Sequence, residues 1–103
     1  MKKIMLVCSA GMSTSLLVTK MEQAAEKVGD EVEIFALPMS DGINRLSTVD
    51  CVLLGPQVRF NLGKIKEEAA KVNPGLPVDV IDMKDYGMMN GEKVYNYAKK
   101  LMD

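Results

Sequence analysis

The sequence predicts an α/β domain: a four-stranded parallel sheet, order 2-1-3-4, with helices on both faces. Two observations carry that expectation. Short apolar runs alternate along the chain with segments whose apolar residues recur at helical spacing, a βαβαβαβα order. Glycine, proline and asparagine punctuate the joints, as at Gly29, Gly55-Pro56 and Asn73-Pro74-Gly75. No internal repeat, low-complexity tract or linker interrupts the pattern, so residues 1–103 read as one domain.

The elements follow in order. Lys2–Cys8 is an apolar first strand. A helix opens at Leu16, with Leu17, Met21, Ala24 and Val28 on one stripe, and Gly29 stops it. Glu31–Pro38 is the second strand, and Ser40–Leu46 is a short, weak helix. Asp50–Gly55 is the third strand. Leu62, Ile65, Ala69 and Val72 form the next helical stripe. Val78–Asp82 is the fourth strand, and Val94, Ala98 and Leu101 mark a last helix starting near Asn90.

Composition excludes several functions. The chain has 103 residues, enough for one core and not two. With 48% hydrophobic and 26% charged residues it is globular. A net charge of -1 gives no basic footprint for nucleic acid or an anionic membrane. The chain has no histidine and only two cysteines, which argues against a zinc site or a His-based relay. Met-Lys-Lys before Ile4–Val7 and Cys8 superficially resembles a secretion or lipoprotein signal, but that apolar run is far short of a signal core of about 7–15 residues. The expectation is a cytoplasmic chain, without membrane insertion, in a reducing compartment.

Cys8 ends the first strand, and Ser9-Ala10-Gly11-Met12-Ser13-Thr14-Ser15 leads from it into a helix. A strand delivers the sulfur, the loop turns N–H groups inward, and the helix N-terminus adds its positive dipole end. That field favours a thiolate and a bound anion together. The bland alternative is an inert strand-end cysteine beside a capping loop, with one of Ser13, Thr14 and Ser15 serving only as N-cap. In a 2-1-3-4 sheet the ligand crevice lies beyond strands one and three, so Cys8 and Gly55-Pro56-Gln57 face it together. No Walker lysine and no dinucleotide glycine fingerprint is present.

Cys51 begins the third strand while Cys8 ends the first. Parallel pairing then separates them by roughly 13 Å along the strand. A disulfide needs Cα atoms within roughly 7 Å, so no bridge is expected. Cys51 reads as a small buried hydrophobe.

Cys-Ser-Ala-Gly-Met-Ser-Thr-Ser-Leu-Leu from Cys8, Val-Leu-Leu-Gly-Pro-Gln at 52–57 and Val-Ile-Asp at 80–82 together resemble a known family. It is the IIB component of the bacterial sugar phosphotransferase system, lactose/cellobiose (chitobiose, β-glucoside) branch, over essentially the whole chain. The resemblance implies that Cys8 accepts a phosphoryl group from a phosphohistidine of the IIA protein. It then passes the group to a disaccharide bound by the membrane IIC transporter. Ser9 through Ser15 would cradle the phosphate, with hydroxyls from Ser13, Thr14 and Ser15. The resemblance further implies a monomer with no metal or organic cofactor, since the donor and acceptor lie on other molecules.

The fold so implied resembles low-molecular-weight tyrosine phosphatases, which carry Cys-x5-Arg-Ser/Thr. Counted from Cys8, the arginine position is Thr14. Without the guanidinium, hydrolysis should be slow and a phosphocysteine should last until the sugar arrives. A thiol phosphatase and a non-catalytic phosphate-binding module are the alternatives. Asp82, Asp85 and Tyr86 follow the fourth strand as crevice-rim candidates with Gln57, or as plain solvated loop residues. Met12, Met39, Met83, Met88 and Met89 fall near strand ends, as an apolar docking rim or as core filler.

Overall fold

A computed structural model describes residues 1–9 and 12–103, and of Met12 and Ser13 it describes the backbone alone. Four strands form one parallel sheet in the order β2-β1-β3-β4. They are β1 (Lys2–Cys8), β2 (Val32–Pro38), β3 (Cys51–Leu54) and β4 (Val78–Val80). The predicted fold class, strand order included, is the one observed. The register sets Lys2 against Val32 and Cys8 against Pro38, Ile4 against Cys51, and Val52 against Val78.

Strict alternation along the central strands builds two cores. Ile4, Leu6, Cys51 and Leu53 face helices α1 (Met12–Lys27) and α5 (Gly91–Met102), meeting Leu17, Met21, Val94, Tyr95 and Ala98. Met5, Val7, Val52 and Leu54 face the opposite side, which α2 (Met39–Gly42) and α3 (Leu62–Val72) cover, α3 with Ile65 and Ala69. Strands buried on both faces carry apolar residues at every position, hence the unbroken runs in the sequence.

Several boundaries differ from expectation. Helix α1 starts at Met12 and not at Leu16. The hydroxyl-rich stretch is therefore the first turn of the helix, where low propensity is overridden by tertiary contact. The helix ends as predicted: Gly29 takes a φ of 78°, and Asp30 N–H donates to Ala25 C=O at 3.0 Å. Val28 lies beyond that end and is exposed, and Val72 at the end of α3 is exposed as well. The weak helix over Ser40–Leu46 resolves into α2 and a separate 3-10 turn, Leu46–Thr48.

Two elements have no counterpart in the sequence reading. A 3-10 segment, Pro56–Asn61, follows β3, and a short helix α4 (Met83–Gly87) follows β4. Both stand at the carboxyl end of the sheet.

Candidate functional site

Cys8 is the last residue of the strand between β2 and β3, so it stands at the switch point of the sheet. Its side chain alternates onto the α1/α5 face with Ile4 and Leu6. It is fully buried, with Sγ 3.9 Å from the carbonyl oxygen of Leu37 on β2. Ser9 beyond it is exposed. Ala10 and Gly11 and the side chains of Met12 and Ser13, all predicted phosphate-binding positions, lie outside the described residues.

Because α1 starts at Met12, its first turn follows the Cys8 loop directly. The first four N–H groups of a helix have no partner within it and carry its positive dipole end. Ser13, Thr14 and Ser15 belong to that turn and are not N-caps. Ser15 is exposed, and its carbonyl accepts from the Thr19 hydroxyl at 3.2 Å.

Among the described residues Thr14 is the buried polar side chain, only 1% exposed. Its Oγ1 lies 3.2 Å from the Tyr86 hydroxyl, across 72 residues of chain. Gln57 reaches the same hydroxyl from the β3 exit, its Nε2 donating to Tyr86 Oη at 3.1 Å. The Gln57 side chain folds back over Gly55, where a Cβ would sit 2.6 Å from Gln57 Oε1. Gly55 is also tied to β1, since its N–H donates to the Val7 carbonyl at 2.8 Å. The crevice residues Thr14, Gln57 and Tyr86 therefore meet at one oxygen atom, and they come from three separate segments.

Asp82 is brought to the same pole in another capacity. It caps α4, its Oδ1 accepting from Lys84 N–H at 2.9 Å and Asp85 N–H at 3.2 Å. Asp82 and Asp85 line a cavity of about 500 Å³ with Lys93 and Tyr97, between the end of β4, α4 and α5; Cys8 is not in its wall. The sequence reading missed α4, yet Asp82 followed three residues later by Asp85 is an N-terminal helix signature and could have found it. The methionines divide: Met83 and Met88 on α4 are exposed, while Met39 and Met89 are half-buried against the cores. Phe60, which the sequence reading did not single out, is 79% exposed in the 3-10 segment after β3.

Cys51 stands opposite Ile4, four register positions before Cys8, and both thiols are free. Burial first, then the nearby Asp79 and Asp50 carboxylates, pushes the Cys51 thiol up to about 12. That is a thiol held neutral in a core, as predicted. Among the described residues no group of three His, Cys, Asp or Glu could hold a metal, and no helix is long and apolar enough to cross a membrane.

Comparison with known proteins draws these features together. Residues 3–97 match the family described as "PTS system, Lactose/Cellobiose specific IIB subunit". The chain is 47% identical over 102 residues to the oligo-beta-mannoside-specific EIIB component of Bacillus subtilis strain 168, covering 99% of this chain and 97% of that one. It is 49% identical over 107 residues to the galactose-specific EIIB component of Lactococcus lactis subsp. cremoris strain MG1363, with the same coverage. The solution structure of a cellobiose-specific phosphotransferase IIB component from Borrelia burgdorferi superposes with a TM-score of 0.79 at 39% identity, covering 98% of this chain and 91% of that one.

Proposed function

The chain belongs to the lactose/cellobiose-specific IIB family of the sugar phosphotransferase system, a phosphoryl relay in sugar uptake, and we propose that Cys8 is the residue that carries the phosphoryl group. The observation that carries this reading is the position of Cys8: it ends the strand at the switch point, directly ahead of the first turn of α1 and its positive dipole end.

In the first step the Cys8 thiolate attacks phosphorus of a phosphohistidine on the IIA protein. The S–P bond forms, the P–N bond breaks, and the imidazole leaves and takes up a proton. In the second step a hydroxyl of the sugar held by the membrane IIC protein attacks the phosphocysteine. The P–O bond forms, the S–P bond breaks, and the sulfur leaves as thiolate while the hydroxyl proton passes to a base. Amides of residues 9 to 15 would hold the three phosphoryl oxygens through both transfers.

Two features support a relay over a phosphatase. The position of the phosphatase arginine is Thr14, whose buried hydroxyl is engaged by Tyr86. No guanidinium therefore spreads charge in a hydrolytic transition state. Exposed Phe60, Met83 and Met88 at the carboxyl pole suit successive contacts with two partners. The reading places a cytoplasmic monomer between IIA and IIC. Relatives of nearly equal identity are named for a β-mannoside and for galactose, so the sugar, of the cellobiose, chitobiose or lactose class, is selected by IIC.

The test is incubation with phosphorylated, radiolabelled IIA. The wild-type protein should take up one label, and Cys8→Ser should take up none while keeping its fold. Stable label on Cys8→Ser would overturn the assignment. Turnover of an aryl phosphate by the wild type would identify a thiol phosphatase instead.

A further inference from the structure

We propose that Tyr86 is a positioning residue for phosphoryl transfer: its hydroxyl, held by Gln57, fixes Thr14 and with it the first turn of α1 behind Cys8. The inference rests on the reading of Cys8 as carrier and assigns Tyr86 a role exerted through Thr14.

A hydroxyl as buried as that of Thr14 requires a partner, because leaving it unpaired costs its desolvation. Tyr86, on α4, supplies one. The Tyr86 ring is itself held, packed against the core between the sheet and α1/α5. Its oxygen also receives the Gln57 amide from the β3 exit, which Gly55 ties to β1 at Val7. One oxygen therefore joins the start of α1 to the exit of β3, which a separate bond ties to β1. The first-turn amides of α1 serve an anion on Cys8 only if they are aimed at it, and a misplacement of about 1 Å is enough to lose a large part of a transfer rate.

The chemistry sets the variants. Tyr86→Phe keeps the ring and its packing and removes the shared oxygen. Thr14→Val removes the other end of the contact at nearly the same volume, and Thr14→Ser retains the hydroxyl. Single-turnover transfer from phosphorylated IIA is followed as a function of IIA concentration, beside a thermal melt of each variant. Tyr86→Phe and Thr14→Val should each lower the saturating rate on the order of tenfold, with an unchanged half-saturating concentration. Thr14→Ser should restore the rate to within about twofold of wild type. The double variant Tyr86→Phe/Thr14→Val should be no slower than the slower single variant, because both remove one contact.

A wild-type saturating rate in Tyr86→Phe overturns the inference. So does a loss confined to the half-saturating concentration, which would make Tyr86 a docking contact, and so do losses that multiply in the double variant. Failure of the wild type itself to take up label sinks the carrier reading along with this one. Label on the wild type with Tyr86→Phe unaffected sinks this one alone.

Discussion

Two cysteines sit on neighbouring strands of one sheet, both fully buried, and their surroundings have little in common. Cys51 enters β3 at the amino pole. There the chain is sewn to itself: Asp50 N–H donates to the Lys3 carbonyl and Lys3 N–H donates to the Asp50 carboxylate, each at 2.8 Å. Cys51 faces Ile4, Tyr95 and Ala98 in the core. Cys8 leaves β1 at the carboxyl pole, where strands give way to a helix N-terminus, a 3-10 segment and a short helix carrying polar side chains. Burial is common to both thiols. What separates them is which end of a strand each occupies, because in a parallel sheet only the carboxyl end meets helix N-termini with free amides.

The strongest way to break this contrast is to remove each sulfur in turn. Against the complete loss of phosphoryl uptake expected for Cys8→Ser, Cys51→Ser should retain uptake at the wild-type rate. Its cost should appear in stability, about 1–3 kcal/mol in a denaturant titration, because a hydroxyl replaces a thiol in an apolar site. Lost uptake in a folded Cys51→Ser protein would erase the distinction between the poles.

A second measurement sharpens it through pH. The Cys51 thiol rises from an ordinary 9.0 to about 12 in the folded protein, with burial as the main cause. Its contribution is fully present below the unfolded value and is lost as pH climbs toward the folded one, since the unfolded chain sheds the proton first. Near pH 10 the wild type should have lost about 1.4 kcal/mol through this group relative to neutral pH. Tyr97, raised to about 12 chiefly by its hydrogen bond to Asp79, and Tyr95, raised chiefly by burial, act in the same direction. Comparing wild type with Cys51→Ala at both pH values isolates the thiol. The gap between the two proteins should narrow at high pH, and a gap that stays constant would mean that Cys51 ionises as readily folded as unfolded.

The sequence was informative where a single periodicity governed several residues at once. Continuous apolar runs gave β1 and β3, helical stripes gave α1, α3 and α5, and Gly29 marked the α1 terminus correctly. It was less informative where short-range and long-range preferences oppose each other. Ser13, Thr14 and Ser15 read locally as loop, and their place in the first turn of α1 coincides with a bond from Thr14 to a residue far along the chain. No periodicity can display that contact. The same holds for Gln57 and Tyr86: the residues were named as rim candidates, while their junction with Thr14 is visible only in three dimensions. The family itself was legible from the Cys8 loop and the Gly-Pro-Gln turn, and residues 3–97 match it.

The smallest expected effect concerns Asp82, which belongs to the carboxyl pole without belonging to its chemistry. A carboxylate after the fourth strand invites the role of a general acid, as in the phosphatases that this fold resembles. In the structure both of its bonds go to backbone N–H groups of α4, at Lys84 and Asp85. A cap needs an acceptor oxygen and no charge, and asparagine supplies one about as well as aspartate. Asp82→Asn should therefore leave both the transfer rate and the thermal midpoint at wild-type values. Asp82→Ala removes the acceptor and should cost about 0.5–2 kcal/mol. Much of that loss should stay local to α4, and because α4 carries Tyr86 it should also reduce transfer modestly. The two variants separate the roles, since an acid fails equally in both. If Asp82→Asn slows transfer as much as Asp82→Ala while the protein keeps its melting temperature, the carboxylate serves the reaction, and the carboxyl pole holds one more chemical group than the hydrogen bonds assign to it.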